Sequence, residues 1–356
     1  MKVERLKTEK DLKAPKLKLS PVIFGTSSLG NMFEVIQEEL KYTIVSECVR
    51  LSKDNVVFDS AGKYGAGLSL EVLGKCLKRL NVLPERAIIS NKLGWLRTEL
   101  ASEEPVFEPG VWKDLKHDAI QKISYDGIME CFEQGNELLD GYSPHMVSVH
   151  DPDEYLGTAK DPKHEKQHYE NILQAYQALE QLKLQGKVKA IGVGAKDWRV
   201  IRRIANDVPL DWVMFANSVT IKTHPQELID FIQELDSKEI MVINSAVFHS
   251  GFLVGGDYFD YKLVNAGSPE SDALFHWRKK FFSICRKFEV APTAACVQFA
   301  LHIPGVKSVA LNPTEVKHVH ENLRLPSLAI PTEFWKALKT EGLIAREYVN
   351  GSKLLS

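Results

Sequence analysis

Asp59, Tyr64, Lys92 and His150 are the residues whose types and spacing could do chemistry together. Each stands at or just past the end of a short apolar run. Val56-Val57-Phe58 leads into Asp59, with Tyr64 in the polar turn behind it. Ala87-Ile88-Ile89 leads to Lys92, and Met146-Val147-Ser148-Val149 ends at His150. An ammonium at the end of a buried strand costs several kcal/mol unless it is paired, and Asp59 is the natural partner. A positive charge close to a phenol favours the phenolate, which makes Tyr64 a usable proton donor or acceptor. His150 can then hydrogen-bond a substrate oxygen. Taken singly, each reads as an ordinary polar group at a loop edge. Taken together they share one address, because the carboxyl ends of parallel strands form the edge where ligands bind and chemistry happens.

The elements that must position them alternate strictly. Helical spacing at Leu70, Leu73, Leu77 and Leu80 follows the Asp59 strand at once. Along the chain we count eight short apolar strands, each followed by a helix: PVIFG, VVFDS, AIISNKLGW, MVSVHDPD, AIGVGA, WVMFAN, EIMVINSA and VKSVAL. With no change of composition between the halves, this order predicts an α/β fold, a (β/α)8 TIM barrel in a single domain, rather than a doubly wound sheet. Residues 1–20 read as a charged lead-in or hairpin, 21–325 as the barrel, and 326–356 as a C-terminal helix, over 332–343, and tail. A loop of about thirty residues holding Phe107 and Trp112 follows the Lys92 strand, and a polar loop follows His150.

Composition excludes several classes. A net charge of −2 in 356 residues and the lack of a basic run interleaved with aromatics argue against nucleic acid as a partner. No apolar stretch approaches the ~20 residues that span a bilayer. The opening MKVERLKTEKDLKAPKLKLS has no apolar core of a signal peptide, and Glu4, Glu9 and Asp11 do not suit a transit peptide. Five widely spaced cysteines without a CxxC pair read as core residues of a reduced cytoplasmic protein. Asn350-Gly-Ser is a glycosylation sequon on paper, without a secretory context.

Two motifs mislead. Residues 164–168, HEKQH, match the zincin pattern, but DPKHEKQHYE is polar on all sides and follows a proline; we read it as a solvated loop and expect no metal. GAGLSL after the Asp59 strand lacks the third glycine of a dinucleotide fingerprint, and the next strand ends in Asn91-Lys92 rather than an acid.

FDSAGKYG, SNKLG, VSVHDPD and IGVG, in this order, resemble the aldo-keto reductases from about Pro21 to Asn322. FGTSSLGNMF, SYDGIMECFEQ, IGVGAKDW and NSAVFHSGFL are similar to that family's sugar dehydrogenase branch, the D-threo-aldose (L-fucose) 1-dehydrogenase and L-galactose dehydrogenase type, which also includes a pyridoxal dehydrogenase. The resemblance implies that Tyr64 exchanges a proton with substrate, that Lys92 and Asp59 tune it, and that His150 orients the substrate oxygen. It implies NAD(P) bound without a Rossmann domain, by Gly25, Thr26, Asp59, Ser250, Gly251, Leu253, Asn312, Thr314, Glu315, His318, Glu321 and Asn322. Where relatives place Ser-Asn after the fifth strand to grip the carboxamide, this chain has Gly194 and Ala195. The tyrosine that stacks on the nicotinamide falls on Ser245, with Phe248 as a substitute. NADP-specific members place lysine and arginine where this chain has Asn312 and His318, so NAD is the favoured cofactor. Trp95, Trp112 and Phe248 are candidates for the substrate pocket. The expected activity is oxidation of a free aldose at C1 to the lactone, with Tyr64 as general base. The alternatives are an NADPH-dependent carbonyl or aldehyde reductase, and a non-catalytic regulatory subunit built on the same barrel.

Overall fold

The computed structural model describes residues 17–345. Most of the expected lead-in, the end of the tail and the Asn350 sequon lie outside the described residues. All eight expected strands form, and they close into a parallel barrel. We number them β1 (Val22–Gly25), β2 (Val56–Ala61), β3 (Ala87–Leu93), β4 (Met146–His150), β5 (Ala190–Ala195), β6 (Trp212–Ala216), β7 (Met241–Ser245) and β8 (Val306–Leu311). Each lies beside its neighbours in sequence, and β1 closes against β8. All residues of β2, β3, β4 and β5 are buried. That is why these strands read as near-continuous apolar runs rather than as alternating ones.

The barrel's strands are divided between two compact units. One is built mainly from Thr26–Val193 with Val208–Asp211 and contains β2, β3 and β4. The other takes Pro21–Gly25, Gly194–Asp207 and the chain from Trp212 onward, and contains β1, β6, β7 and β8. In the first unit, register sets the site: Asp59 pairs with Ser90, Ala61 with Lys92, and Lys92 with Ser148, two residues before His150.

Three sequence expectations need correction. The thirty-residue loop after β3 is not structureless: Trp95–Glu99 and His117–Gln121 pair as an antiparallel hairpin whose long turn carries Phe107 and Trp112. The polar stretch after β4 is helical. Pro152–Gly157 makes a short helix, and a 23-residue helix runs over Pro162–Leu184. HEKQH therefore lies on the first turns of a helix, not in a loop. The signal was Asp161-Pro162: the Asp161 carboxylate caps the helix by accepting from the backbone N–H of His164 at 2.8 Å, and proline suits the first helical position. Those first turns are polar and mostly face water, and the buried face starts at His168 and Tyr169. The ring nitrogens Nδ1 of His164 and His168 are both engaged with nearby backbone, at Lys160 and Tyr155.

The C-terminal helix runs over Thr332–Thr340. No helix among the described residues is long and apolar enough to cross a membrane. All five cysteines are free and buried, each in a helix.

Candidate active site

Backbone contacts place Tyr64 before its side chain does anything. The turn after β2 presses against the turn after β1: a Cβ on Gly30 would lie 2.8 Å from the Tyr64 carbonyl, and one on Gly65 (φ +60°) 2.4 Å from the Gly30 oxygen. Only residues without side chains permit that approach. The Tyr64 carbonyl then accepts from the backbone N–H of Ser69 at 3.2 Å, at the start of the helix Leu68–Arg79. Ser69 is buried, and its hydroxyl meets Ser60 Oγ, Thr26 Oγ1 and Thr26 O.

Lys92, at the carboxyl end of β3, donates to both carboxylate oxygens of Asp59 at 2.7 Å and to the Ser60 carbonyl at 3.1 Å. Both side chains are buried, so the ammonium is held by direct pairing rather than by water. It lies 4.8 Å from the centre of the Tyr64 ring. His150, the last residue of β4, meets that ring edge-on, with centroids 5.6 Å apart. The four residues picked from strand ends thus form one cluster within the first unit. A cation, a phenol and an imidazole side by side can move a proton to or from an oxygen held between the latter two.

Two of the three pocket candidates join this cluster. Trp112 is buried and its ring lies 5.8 Å from that of Tyr64. Trp95 is half-buried and packs on Phe107, which packs in turn on Trp112. Phe248 belongs to the second unit and is half-buried there, its carbonyl accepting from the backbone N–H groups of Gly251 and Leu253.

The segments expected to hold a cofactor lie mainly in that second unit. Ala246, His249, Ser250 and Gly251 all have positive φ, and this bend leads into the turn Phe252–Val254, where Leu253 is fully buried. Ser250 Oγ accepts from the backbone N–H of Tyr261 at 2.9 Å. Gly25 touches Asn312: a Cβ there would lie 3.3 Å from that of Asn312. Beyond β8, Thr314 and His318 share a 3.3 Å hydrogen bond. Glu315 pairs with Lys317 at 2.8 Å, which lowers the Glu315 pKa. Glu321 is exposed and Asn322 buried on the helix Val316–Arg324. Thr26 belongs to the first unit, and its hydroxyl donates to the Asp59 carbonyl at 3.0 Å.

Two residues went unnoticed in the sequence. Asn217, just past β6 in the second unit, is 7 % exposed with φ +59°, and neither amide atom has a hydrogen-bond partner. Buried amides are normally satisfied, so this one suits a ligand's amide. The carboxamide of a nicotinamide ring fits, given Gly194 and Ala195 at the end of β5. Its signal was a polar residue ending an apolar strand, the rule that found Lys92. The other is Lys63, buried among Glu108, Asp151 and Glu154 in the first unit.

A parallel barrel with a phenol, an imidazole and an ammonium–carboxylate pair at its strand ends is an arrangement suited to an oxidoreductase. The chain belongs to the Aldo/keto reductase family, whose sequence pattern matches residues 21–340. Members of this family use a nicotinamide dinucleotide. Among curated relatives, a pyridoxal 4-dehydrogenase of Microbacterium luteolum is 28 % identical over 81 % of this chain and 84 % of its own. A D-threo-aldose 1-dehydrogenase of a Pseudomonas species is 24 % identical over 95 % and 98 %. An Arabidopsis thaliana L-galactose dehydrogenase is 24 % identical over 86 % and 84 %. These relatives support the sugar dehydrogenase branch. The fold is shared with solved structures of an aldo-keto reductase from Bacillus halodurans in its holo form (TM-score 0.66, 19 % identity, 93 % of this chain and 96 % of the other). It is also shared with a glycerol dehydrogenase from Gluconobacter oxydans (TM-score 0.68, 16 % identity, 94 % of each chain).

Proposed function

We propose that this protein oxidises a free aldose at C1 to the lactone, with Tyr64 as general base and NAD used at least as well as NADP. The observation that carries the reading is the Lys92 ammonium, held on Asp59 and 4.8 Å from the Tyr64 ring. That cation stabilises negative charge on the phenol oxygen, so Tyr64 can take the proton of the anomeric hydroxyl. His150 orients the same oxygen and stabilises the carbonyl that forms. The C1–H bond breaks with its electron pair, the O–H bond gives its proton to Tyr64, and the C1=O bond closes; the sugar loses two electrons and two hydrogens. A bound nicotinamide ring would supply the hydride acceptor. Asn217, Ser250, Gly251, Leu253 and the 312–322 segment would hold the dinucleotide, with Gly25 against Asn312. The Trp95–Phe107–Trp112 cluster offers flat apolar faces of the kind a sugar ring stacks on. Five buried free thiols suit a reducing, cytoplasmic setting.

The test is purified protein with NAD+ or NADP+ and a panel of aldoses, followed at 340 nm. Absorbance should rise with at least one unphosphorylated aldose. Oxidation of NADPH by simple aldehydes, with no aldose reducing either cofactor, would replace this reading by that of a carbonyl reductase.

A further inference from the structure

Lys63 directly precedes Tyr64 and takes no part in the reaction above, yet it is only 3 % exposed. Its ammonium meets three carboxylates from two other segments: Glu108 Oε1 at 2.8 Å, Asp151 Oδ2 at 3.0 Å and Glu154 Oε2 at 2.9 Å. Burial alone would pull the Lys63 pKa down, but Asp151, Glu108 and Glu154 raise it well above the usual lysine value. The cation is therefore permanent at any working pH.

Two of the three partners, Glu108 and Asp151, have left-handed backbone. Glu108 has φ +44° and Asp151 φ +48°, a left-handed conformation that is costly for glutamate and tolerated by aspartate. Both also touch active-site groups. Glu108 uses its second oxygen to accept from Trp112 Nε1–H at 2.7 Å, and the Trp112 ring lies 5.8 Å from that of Tyr64. Asp151 Oδ2, the oxygen that receives Lys63, lies 3.6 Å from His150 Nε2.

We propose that Lys63 is a positioning residue for this oxidation, which seats Trp112 against Tyr64 through Glu108 and holds Asp151 beside His150. One buried ammonium then fixes both the substrate wall and the approach to the reacting oxygen. The kinetic part of this inference rests on the proposed function; the placement of Trp112 does not.

The test uses the full chain with Lys63→Met, Lys63→Arg, Glu108→Ala and Trp112→Phe. The first readout is acrylamide quenching of Trp112 fluorescence without substrate, taken as the difference from Trp112→Phe. Lys63→Met and Glu108→Ala should each raise that quenching at least twofold, and Lys63→Arg should restore most of the protection. The second readout is steady-state kinetics on the best aldose. Lys63→Met should lower kcat/KM at least tenfold, chiefly through KM, and its effect should not multiply with that of Trp112→Phe. Wild-type quenching in folded Lys63→Met, or fully multiplicative kinetic effects, would overturn the proposal. If Lys63→Met does not fold, unchanged quenching and KM in Glu108→Ala overturn it equally. If the wild type oxidises no aldose while quenching still responds, the reaction is wrong and the seating of Trp112 stands.

Discussion

Lys92 stands 2.7 Å from each carboxylate oxygen of Asp59, and both side chains are buried. Neither can lose the other cheaply, since removing one partner of a buried pair leaves an uncompensated charge costing about 3–5 kcal/mol. Its ammonium end lies 4.8 Å from the centre of the Tyr64 ring. Lys92→Met should therefore do two things. It should lower thermal stability, and oxidation should become efficient only at higher pH, because the phenolate has lost its neighbouring cation. The pH dependence of kcat/KM, with a melting curve beside it, checks both. Lys92→Met combined with Asp59→Asn should recover stability without recovering the pH profile.

Tyr64→Phe should leave the fold and cofactor affinity intact and abolish nearly all turnover. The packing of the ring against Trp112 and His150 survives the change. The hydroxyl proposed to exchange the proton does not. General acid–base help is worth about 10²–10⁴-fold, so turnover near wild type would remove Tyr64 from the mechanism.

The proposed preference for NAD is tested at Glu315 and Lys317. They pair at 2.8 Å on the surface, so a 2′-phosphate would have to compete with Glu315 for Lys317. A 2′-phosphate needs charge-assisted hydrogen bonds, usually from arginine or lysine, whereas a carboxylate can accept from a ribose diol. Glu315→Lys should raise kcat/KM with NADP relative to NAD. A wild-type preference for NADP above tenfold, or no gain in the variant, would contradict the assignment.

The thiols should be silent in the native state. Burial pushes Cys76 and Cys131 up to about 11 and Cys285 to about 12, and raises Cys48 and Cys296 as well. The thiolate is the reactive species, so Ellman's reagent at pH 8 should titrate none of the five in the folded protein and all five in denaturant. Rapid labelling of native protein would show that these helices open readily.

Much of this protein was legible in its residues. Eight apolar strands alternating with helical periodicity determined a barrel, because a parallel sheet must cover both faces and so spells its strands as continuous apolar runs. Lys92 announced Asp59, since an ammonium ending a buried strand demands a counter-charge. The helix through HEKQH was also written down, in Asp161-Pro162, although its polarity hid it. What only tertiary structure decided is whatever depends on segments distant in the chain. The Lys63 cluster joins the turn after β2 to residues from the hairpin turn and from the end of β4. No periodicity relates Lys63 to Glu108 or Asp151, and each alone reads as a solvated charge. The seating of Trp112 by Glu108 was equally hidden, as was the unsatisfied amide of Asn217. Pairing and burial are properties of the folded neighbourhood, and local sequence carries them only where a buried strand forces the issue.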